Sequence, residues 1–217
     1  MLGQLRPPTR DRLLALGTTV AYRDNDVILT HGEPGDNVVL LLSSAVKVVV
    51  HSEHGPTALL AIRIRGDLVG EQSVIDRNPR SASVIACGDV LAQSIGRGEF
   101  EAFLKRTPDA DHQLRTMMSE RLRWADQRRV DFLALKAYAR VARVLVEVAK
   151  TCGWEDEETW DITIPLTQEE LGSLASIARR TVEQQVKKLI EAGLVRTAYR
   201  KTSLLNMAEL QRVADSR

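Results

Sequence analysis

Hydrophobic and polar positions change period near the middle of the chain. From Val20 to about Ser94, short apolar runs recur: "VILT", "NVVLLL", "AVKVVV", "ALLAIRI", "SASVIAC" and "VLAQSI". Between them stand "HGEPGD", "SEHGP", "IRGD" and "RNPR", which supply the Gly, Pro, Asp and Asn of tight turns. Short strands at this spacing predict a small antiparallel barrel or sandwich. Packing helices are expected on either side of it, over 10–16 and 98–105.

Pro108 then opens a stretch without Gly or Pro that runs to about Lys150, in which Leu114, Met118, Leu122, Ala125, Phe132 and Leu135 recur at three- and four-residue steps. A helix of about 25 residues spans about 40 Å, long for a packing helix and suited to a dimerising one. Arg121, Arg128 and Arg129 interrupt the seam, and two consecutive core helices in a monomer are the alternative. A second helix covers "AYARVARVLVEVAK". The following "CGWEDEETWD" reads as an acidic solvated turn, with a partner-contacting patch at Glu155, Asp156, Glu157 and Glu158 as the other reading.

The clearest local pattern is "LTQEELGSLASIARRTVEQQVKKLIEAGLV". Thr167 and Glu170 make a capping box, after which Leu171, Leu174 and Ala175 face inward. Ser176-Ile177-Ala178 breaks this helix. A second helix runs from about Arg179 to Ala192, buries Val182, Val186, Leu189 and Ile190, and stops at Gly193. Two short helices around a three-residue break predict a helix-turn-helix whose second helix enters the DNA major groove. Arg179, Arg180, Gln184, Lys187 and Lys188 fall on its outer face, and "GLVRTAYRKTSLLN" forms a wing carrying Arg196, Arg200 and Lys201. Arginine bonds guanine O6 and N7, glutamine bonds adenine, and lysine neutralises phosphate. Seven basic residues stand against two acidic ones between Ser176 and Lys201. A solvated basic helix on a protein-interaction module is the alternative.

Composition narrows the classes. The 217 residues are 44% hydrophobic and 27% charged, enough for one large or two small domains. A formal net charge of +1 makes any nucleic-acid site a local patch. Two cysteines, Cys87 and Cys152, supply neither a disulfide framework nor a four-thiolate metal or iron–sulfur site, and Cys87 closes an apolar strand as a core residue. His31, His51, His54 and His112 are scattered, so no metal site is expected. No signal peptide or membrane-spanning run stands out, and a cytoplasmic protein is expected. The chain shows no P-loop, G-x-S-x-G, H-E-x-x-H or kinase loop, so no catalytic residue and no enzymatic activity is expected.

In order and in motifs ("HGEPGD", "RGDLVGE", "RSA" and "LTQEELGSLA…RRTV…LIEAGLV"), nearly the whole chain resembles the Crp/Fnr family of dimeric bacterial transcription regulators. The resemblance implies an α+β protein. A jelly-roll sensor barrel of the cyclic-nucleotide-binding type covers 1–107, a dimerisation helix 108–137, and a winged helix-turn-helix DNA-binding domain 138–217. "GEQSVIDRNPRSA" is similar to the family's phosphate-binding cassette. In it Glu71 accepts a hydrogen bond from the ribose 2′-hydroxyl, Arg80 and Ser81 hold the phosphate, and Gly70 leaves room for close approach. Val69, Gln72 and Ala82 complete the cassette, and Arg121, Ala125 and Asp126 face it from the long helix. An internal Glu71–Arg80 salt bridge is the alternative use of these charges.

Two departures from the family pattern matter. Its cAMP receptors present adjacent Thr and Ser to the adenine where this chain has Ala125 and Asp126, so cAMP leads while another cyclic nucleotide stays open. Members that read TGTGA carry Arg-Glu-Thr where this chain has Arg179-Arg180-Thr181. Arginine accepts no hydrogen bond from a cytosine amine, so a different half-site is expected, with Arg179 still reading guanine. Gln184 also replaces a commonly basic residue, and Ser44 replaces a turn glycine. The implied DNA-binding set is Thr167, Gln168, Arg179, Arg180, Thr181, Gln184, Lys187, Lys188 and Arg200. The implied partners are a palindromic DNA duplex, a second copy of the chain and RNA polymerase. A constitutive DNA-binding regulator with a vestigial pocket or a different small-molecule ligand is the rival.

Overall fold

Pro7 and Pro8 open the first helix, α1 (Pro7–Leu14), earlier than the expected Arg10, because proline's fixed φ and missing N–H suit a first helical turn. The computed structural model describes residues 2–51, 57–156 and 159–216. The expected "SEHGP" turn with His54, and the acidic pair Glu157 and Glu158, lie outside the described residues. The chain divides into two compact units, Met1–Thr57 with Ala61–Trp124, and Ala58–Leu60 with Ala125–Arg217.

In the first unit, β1 (Thr18–Tyr22), β2 (Val27–Leu29), β3 (Asn37–Leu41), β4 (Ala45–His51), β5 (Thr57–Ile64) and β6 (Leu68–Val69) precede a short helix, α2 (Glu71–Asp76). After it come β7 (Ser83–Cys87), β8 (Val90–Gly96) and α3 (Arg97–Arg106). The strands form two four-stranded sheets, β1-β8-β3-β6 and β2-β7-β4-β5. Val39 lies opposite Ser94 in one, and Val48 opposite Val84 in the other.

The unbroken apolar run of β3 has a direct cause. Val39 and Leu41 point between the sheets, against Val46, Val84 and Ala86. Val38 and Leu40, on the opposite face, pack with Leu13, Phe100, Phe103, Leu114 and Met117 from the helices. A strand covered on both faces has no polar side to alternate with. Ser44 takes the left-handed conformation (φ 53°) that its turn demands, its hydroxyl donating to the Asp89 carbonyl at 2.6 Å. Cys87 is half-buried rather than a core residue.

The long helix, α4, runs over Pro108–Ala134. Its expected seam is corrected at three places. Leu114 belongs to the barrel core, 2% exposed. Phe132 stacks under the Arg140 guanidinium, 5.1 Å from the ring centre. Leu135 falls beyond the helix end. The exposed large apolar residues of α4 are Leu122, Val130, Phe132 and Leu133.

In the second unit, α5 (Ala137–Cys152) leads into β9 (Gly153–Asp156) and β10 (Thr159–Ile162). Of the acidic segment expected as a turn, Glu155 and Asp156 belong to a strand, antiparallel to β10 with Trp160 opposite Glu155. Then follow α6 (Gln168–Ala175), α7 (Arg179–Glu191), β11 (Val195–Ala198), β12 (Lys201–Leu204) and a further helix, α8 (Met207–Asp215), in the sheet order β11-β12-β10-β9. Helix α8 packs along α5 and buries Leu210 and Ala214.

Candidate functional site

Strand β6 ends at Val69, Gly70 turns the chain with φ 80°, and Glu71 is the first residue of α2. This places a carboxylate 4% exposed beside an arginine 5% exposed, Arg80, inside the barrel unit. They do not bond each other. Glu71 Oε1 accepts from Arg121 Nη1 of α4 at 2.7 Å, and Arg121 Nη2 donates to the Leu68 carbonyl at 2.8 Å. Arg80 donates from Nη1 to the Gly70 carbonyl (2.7 Å), and from Nη2 to the Asn37 carbonyl (2.8 Å) and Asn37 Oδ1 (2.5 Å). Burial, and next the Arg97 charge against those of Asp36, Glu71 and Glu33, keep the Arg80 guanidinium below its usual pKa.

Two glycines make room for Arg80. A Cβ at Gly70 would sit 2.6 Å from Arg80 Nη1, and one at Gly35 would sit 2.8 Å from Arg80 Nε and closer still to Ser73 Cβ. Arg97 donates to the Gly35 carbonyl, bringing a second guanidinium to the site. Ser81 is exposed, and its hydroxyl donates to Gln72 Oε1 at 2.7 Å. Val69 is buried and Ala82 half-buried. Ala125 and Asp126 are exposed on α4, where Asp126 pairs with Arg129 at 3.4 Å. The structure thus brings together Gly70, Glu71, Arg80 and Arg121. Sequence reasoning missed Gly35, Asn37 and Arg97. Gly35, in the turn "HGEPGD", was the one with a visible signal.

The helix-turn-helix forms as its caps dictate. Thr167 Oγ1 accepts from the Glu170 N–H at 3.1 Å, and Glu170 Oε2 accepts from the Thr167 N–H at 2.8 Å. Ser176, at φ 54°, ends α6. Gly172 lets the turn close, since a Cβ there would lie 2.7 Å from the Ile177 carbonyl oxygen. Helix α7 buries Val182, Gln185, Val186 and Leu189. Ile190, expected inside, is 41% exposed, and Gln185 is buried at 8%. Arg179, Arg180, Gln184, Lys187 and Lys188 are exposed along α7, Thr181 is half-buried, and Gln168 is half-buried at the start of α6. Arg179 is held by two acids, Glu183 at 2.9 Å and Glu169 at 3.3 Å, which raise its pKa. Arg200 sits in the wing turn at φ 57°, beside Tyr199, which is 92% exposed.

Ion pairs tie the last turns of α4 to the helices after it. Arg128 donates to the Leu174 carbonyl at the end of α6 (2.5 Å) and to Glu147 of α5 (2.7 Å). Arg143 of α5 bonds Asp131 of α4 (2.6 Å) and the Ala214 carbonyl of α8 (2.9 Å). Among the described residues no helix is long and apolar enough to cross a membrane.

Comparison with known proteins agrees with both regions. Residues 19–107 match the cyclic nucleotide-binding domain, and residues 139–213 match the Crp-like helix-turn-helix domain. The chain is 28% identical over 195 residues to the CRP-like cAMP-activated global transcriptional regulator of Mycobacterium tuberculosis, covering 90% of this chain and 87% of that one. It is 28% identical over 211 residues to the cyclic AMP receptor protein of Thermus thermophilus, covering 97% and 94%. The crystal structure of a CRP/FNR-family transcriptional regulator from Thermus thermophilus superimposes with a TM-score of 0.78 at 26% identity, covering 92% of this chain and all of that one. With a cyclic nucleotide-binding domain followed by a Crp-like helix-turn-helix, the chain belongs to the Crp/Fnr family of transcription regulators.

Proposed function

We propose that the protein binds palindromic duplex DNA as a homodimer and is switched by a cyclic nucleoside monophosphate held in the barrel. One observation carries the ligand reading: a carboxylate and a guanidinium, both almost fully buried, stand next to Gly70 without bonding each other. Arg80 bonds only neutral oxygens, burying a charge without a counter-charge is costly, and a cyclic nucleotide supplies one. Arg80, with Arg97 near it, pairs with the phosphate, Ser81 donates to it, and Glu71 accepts from the ribose 2′-hydroxyl. The same Glu71 holds Arg121, so a sugar hydroxyl on that carboxylate is felt by α4 at its contact with the barrel. Relatives named for cAMP make cAMP the first ligand to test.

The exposed side chains of Leu122, Val130 and Leu133 on α4 support a second copy as the partner along that helix. Two copies so joined would set their α7 helices about 34 Å apart, one turn of DNA. Coupling between ligand and DNA is expected at about 1–3 kcal/mol. RNA polymerase is the further partner expected of a regulator that acts on transcription.

Arg80 already bonds three protein oxygens and Glu71 already has Arg121, which favours a second reading, a constitutive regulator whose pocket satisfies itself. A thermal-shift screen with cAMP, cGMP and cyclic dinucleotides, followed by DNA-binding anisotropy with and without any hit, separates the two. A cyclic mononucleotide that raises the melting temperature and changes DNA affinity, with both effects lost in Arg80→Ala, supports the switch. DNA binding unaffected by every nucleotide and by Arg80→Ala supports the constitutive reading.

A further inference from the structure

Arg179, the first residue of α7, and Glu183, one turn further on, carry their charged heads together. Residues four apart lie on one face of a helix. Glu183 Oε1 accepts from Arg179 Nε at 2.9 Å, with side chains 48% and 62% exposed. Helix stability does not explain this pair. An acid four residues before a cation is the favourable order, and a cation in the first turn opposes the helix dipole. Both preferences are reversed here. The bond takes Nε and leaves the terminal fork of the guanidinium. Within that fork Nη1 meets Glu169 of α6 at 3.3 Å, while Nη2 has no partner among the described residues. Glu183 Oε2 likewise accepts no hydrogen bond among the described residues.

A helix in the major groove reads base edges with its N-terminal residues, so a guanine held by the Arg179 fork through O6 and N7 brings Glu183 with it. A carboxylate carried among phosphates is repelled by like charge, and only a base that offers a donor compensates it. Guanine O6 and N7 and thymine O4 are acceptors, adenine sets the acceptor N7 beside its amine, and cytosine presents its N4 amine alone. We propose that Glu183 reads cytosine in the base pair next to the guanine of Arg179, its Oε2 accepting from N4, so that the two residues recognise one step of the duplex as a unit. Stacked bases lie about 3.4 Å apart, close to the 2.9 Å between the two heads. The acceptor that Arg180 cannot supply is thus restored three residues later on the same helix. The proposal rests on α7 as the groove reader and adds to it a residue and a base.

The test starts from half-sites selected by the full chain out of a randomised duplex pool, with any nucleotide that the thermal screen identifies as an effector. Anisotropy then compares the native chain with Glu183→Ala on the selected site, on that site with N4-methylcytosine, on sites with each other base at that pair, and on random duplex. N4-methylcytosine keeps the hydrogen that pairs with guanine and replaces the one that faces the major groove. The expected result is a selected cytosine next to a guanine, with about a tenfold or greater loss for the native chain on the methylated and substituted sites. Glu183→Ala brings those sites to within about twofold of the selected one. It also binds random duplex more tightly, because an acid has left the surface that faces the phosphates. Selection of no cytosine beside the guanine overturns the assignment. Equal losses on methylation in the native chain and the variant overturn it too. A variant that loses the preference for guanine yet keeps that for cytosine makes Glu183 a positioning residue for Arg179 alone and rejects the base reading. Failure of the native chain to bind any duplex removes the DNA reading itself, an outcome distinct from binding without a preference for cytosine.

Discussion

Arg121 of the long helix and Glu71 of the barrel form an ion pair at 2.7 Å whose side chains are 19% and 5% exposed. Removing one member of such a pair strands the other charge, at a cost of about 3–5 kcal/mol, whereas replacing both with apolar groups is close to neutral. Arg121→Met should therefore lower unfolding stability by roughly that amount in urea titration. The double variant Arg121→Met with Glu71→Leu should recover most of the loss. A double variant no more stable than Arg121→Met would show that the residues do not act as a pair.

Gly35→Ala tests how tightly Arg80 is confined. The new methyl would sit 2.8 Å from Arg80 Nε and closer still to Ser73 Cβ, well inside ordinary contact. Overpacking of this kind typically costs about 1–3 kcal/mol. Because the guanidinium must shift, ligand affinity should fall together with stability. Calorimetry and thermal melts on one preparation check both, and a variant that loses stability but binds nucleotide normally would separate Gly35 from the site.

Much of this was legible in the sequence, because local chemistry fixes it. The capping box at Thr167 and Glu170, the stop at Gly193 and the paired turns of the barrel are each set by a few adjacent residues. What was not legible depends on contacts distant in sequence. Arg80 finds Asn37 and Glu71 finds Arg121, 43 and 50 residues away, so a carboxylate and an arginine in one motif looked like natural partners and are not. Leu114 fits a helical seam by spacing yet serves the barrel core, since the first turns of α4 are also a wall of the first unit. The acidic "WED" read as a loop because its charges obscure strand propensity, and pairing with β10 and the sheet beyond overrides that preference.

On α7, Arg179 and Lys188 should behave differently. Arg179 is aimed by Glu169 and Glu183 and, as a base reader, should cost about 1–3 kcal/mol on its cognate site when changed to alanine, while relaxing preference at one base pair. Lys188→Ala should weaken binding to all sequences alike and reduce the salt slope by about 1. Anisotropy titrations at several salt concentrations, on a selected site and on random duplex, measure both quantities. Identical specific and non-specific losses in the two variants would contradict a groove-facing α7.

The tie between α4 and the helices that follow it predicts a separable defect. Asp131 is 4% exposed and anchors Arg143, which also holds the end of α8. Asp131→Ala leaves Arg143 without its buried partner and should cost about 3–5 kcal/mol. Ligand affinity, which depends on groups in the barrel unit, should stay within about twofold, while any ligand-dependent change in DNA affinity shrinks. Measuring ligand binding by calorimetry and DNA binding by anisotropy on this variant tests the separation. A parallel fall in ligand affinity would place Asp131 in the ligand site rather than in the tie.

The start of α4 gives a pH-dependent prediction. Asp109 accepts from the Thr9 hydroxyl at 2.6 Å and from Arg6 Nε at 3.3 Å, and the Thr9 bond, followed by that to Arg6, lowers its pKa. A carboxylate with a depressed folded pKa stabilises the fold fully above its unfolded value of about 3.9, and that contribution is lost as pH falls through the lower folded value. Thr9→Val removes the largest of these contacts. The variant should therefore melt below the native chain at pH 7, with the gap narrowing as the pH falls below about 4 and Asp109 protonates in both proteins. Melting curves by circular dichroism across that range provide the check, and a gap that stays constant with pH would mean that Thr9 acts through packing rather than through the charge on Asp109.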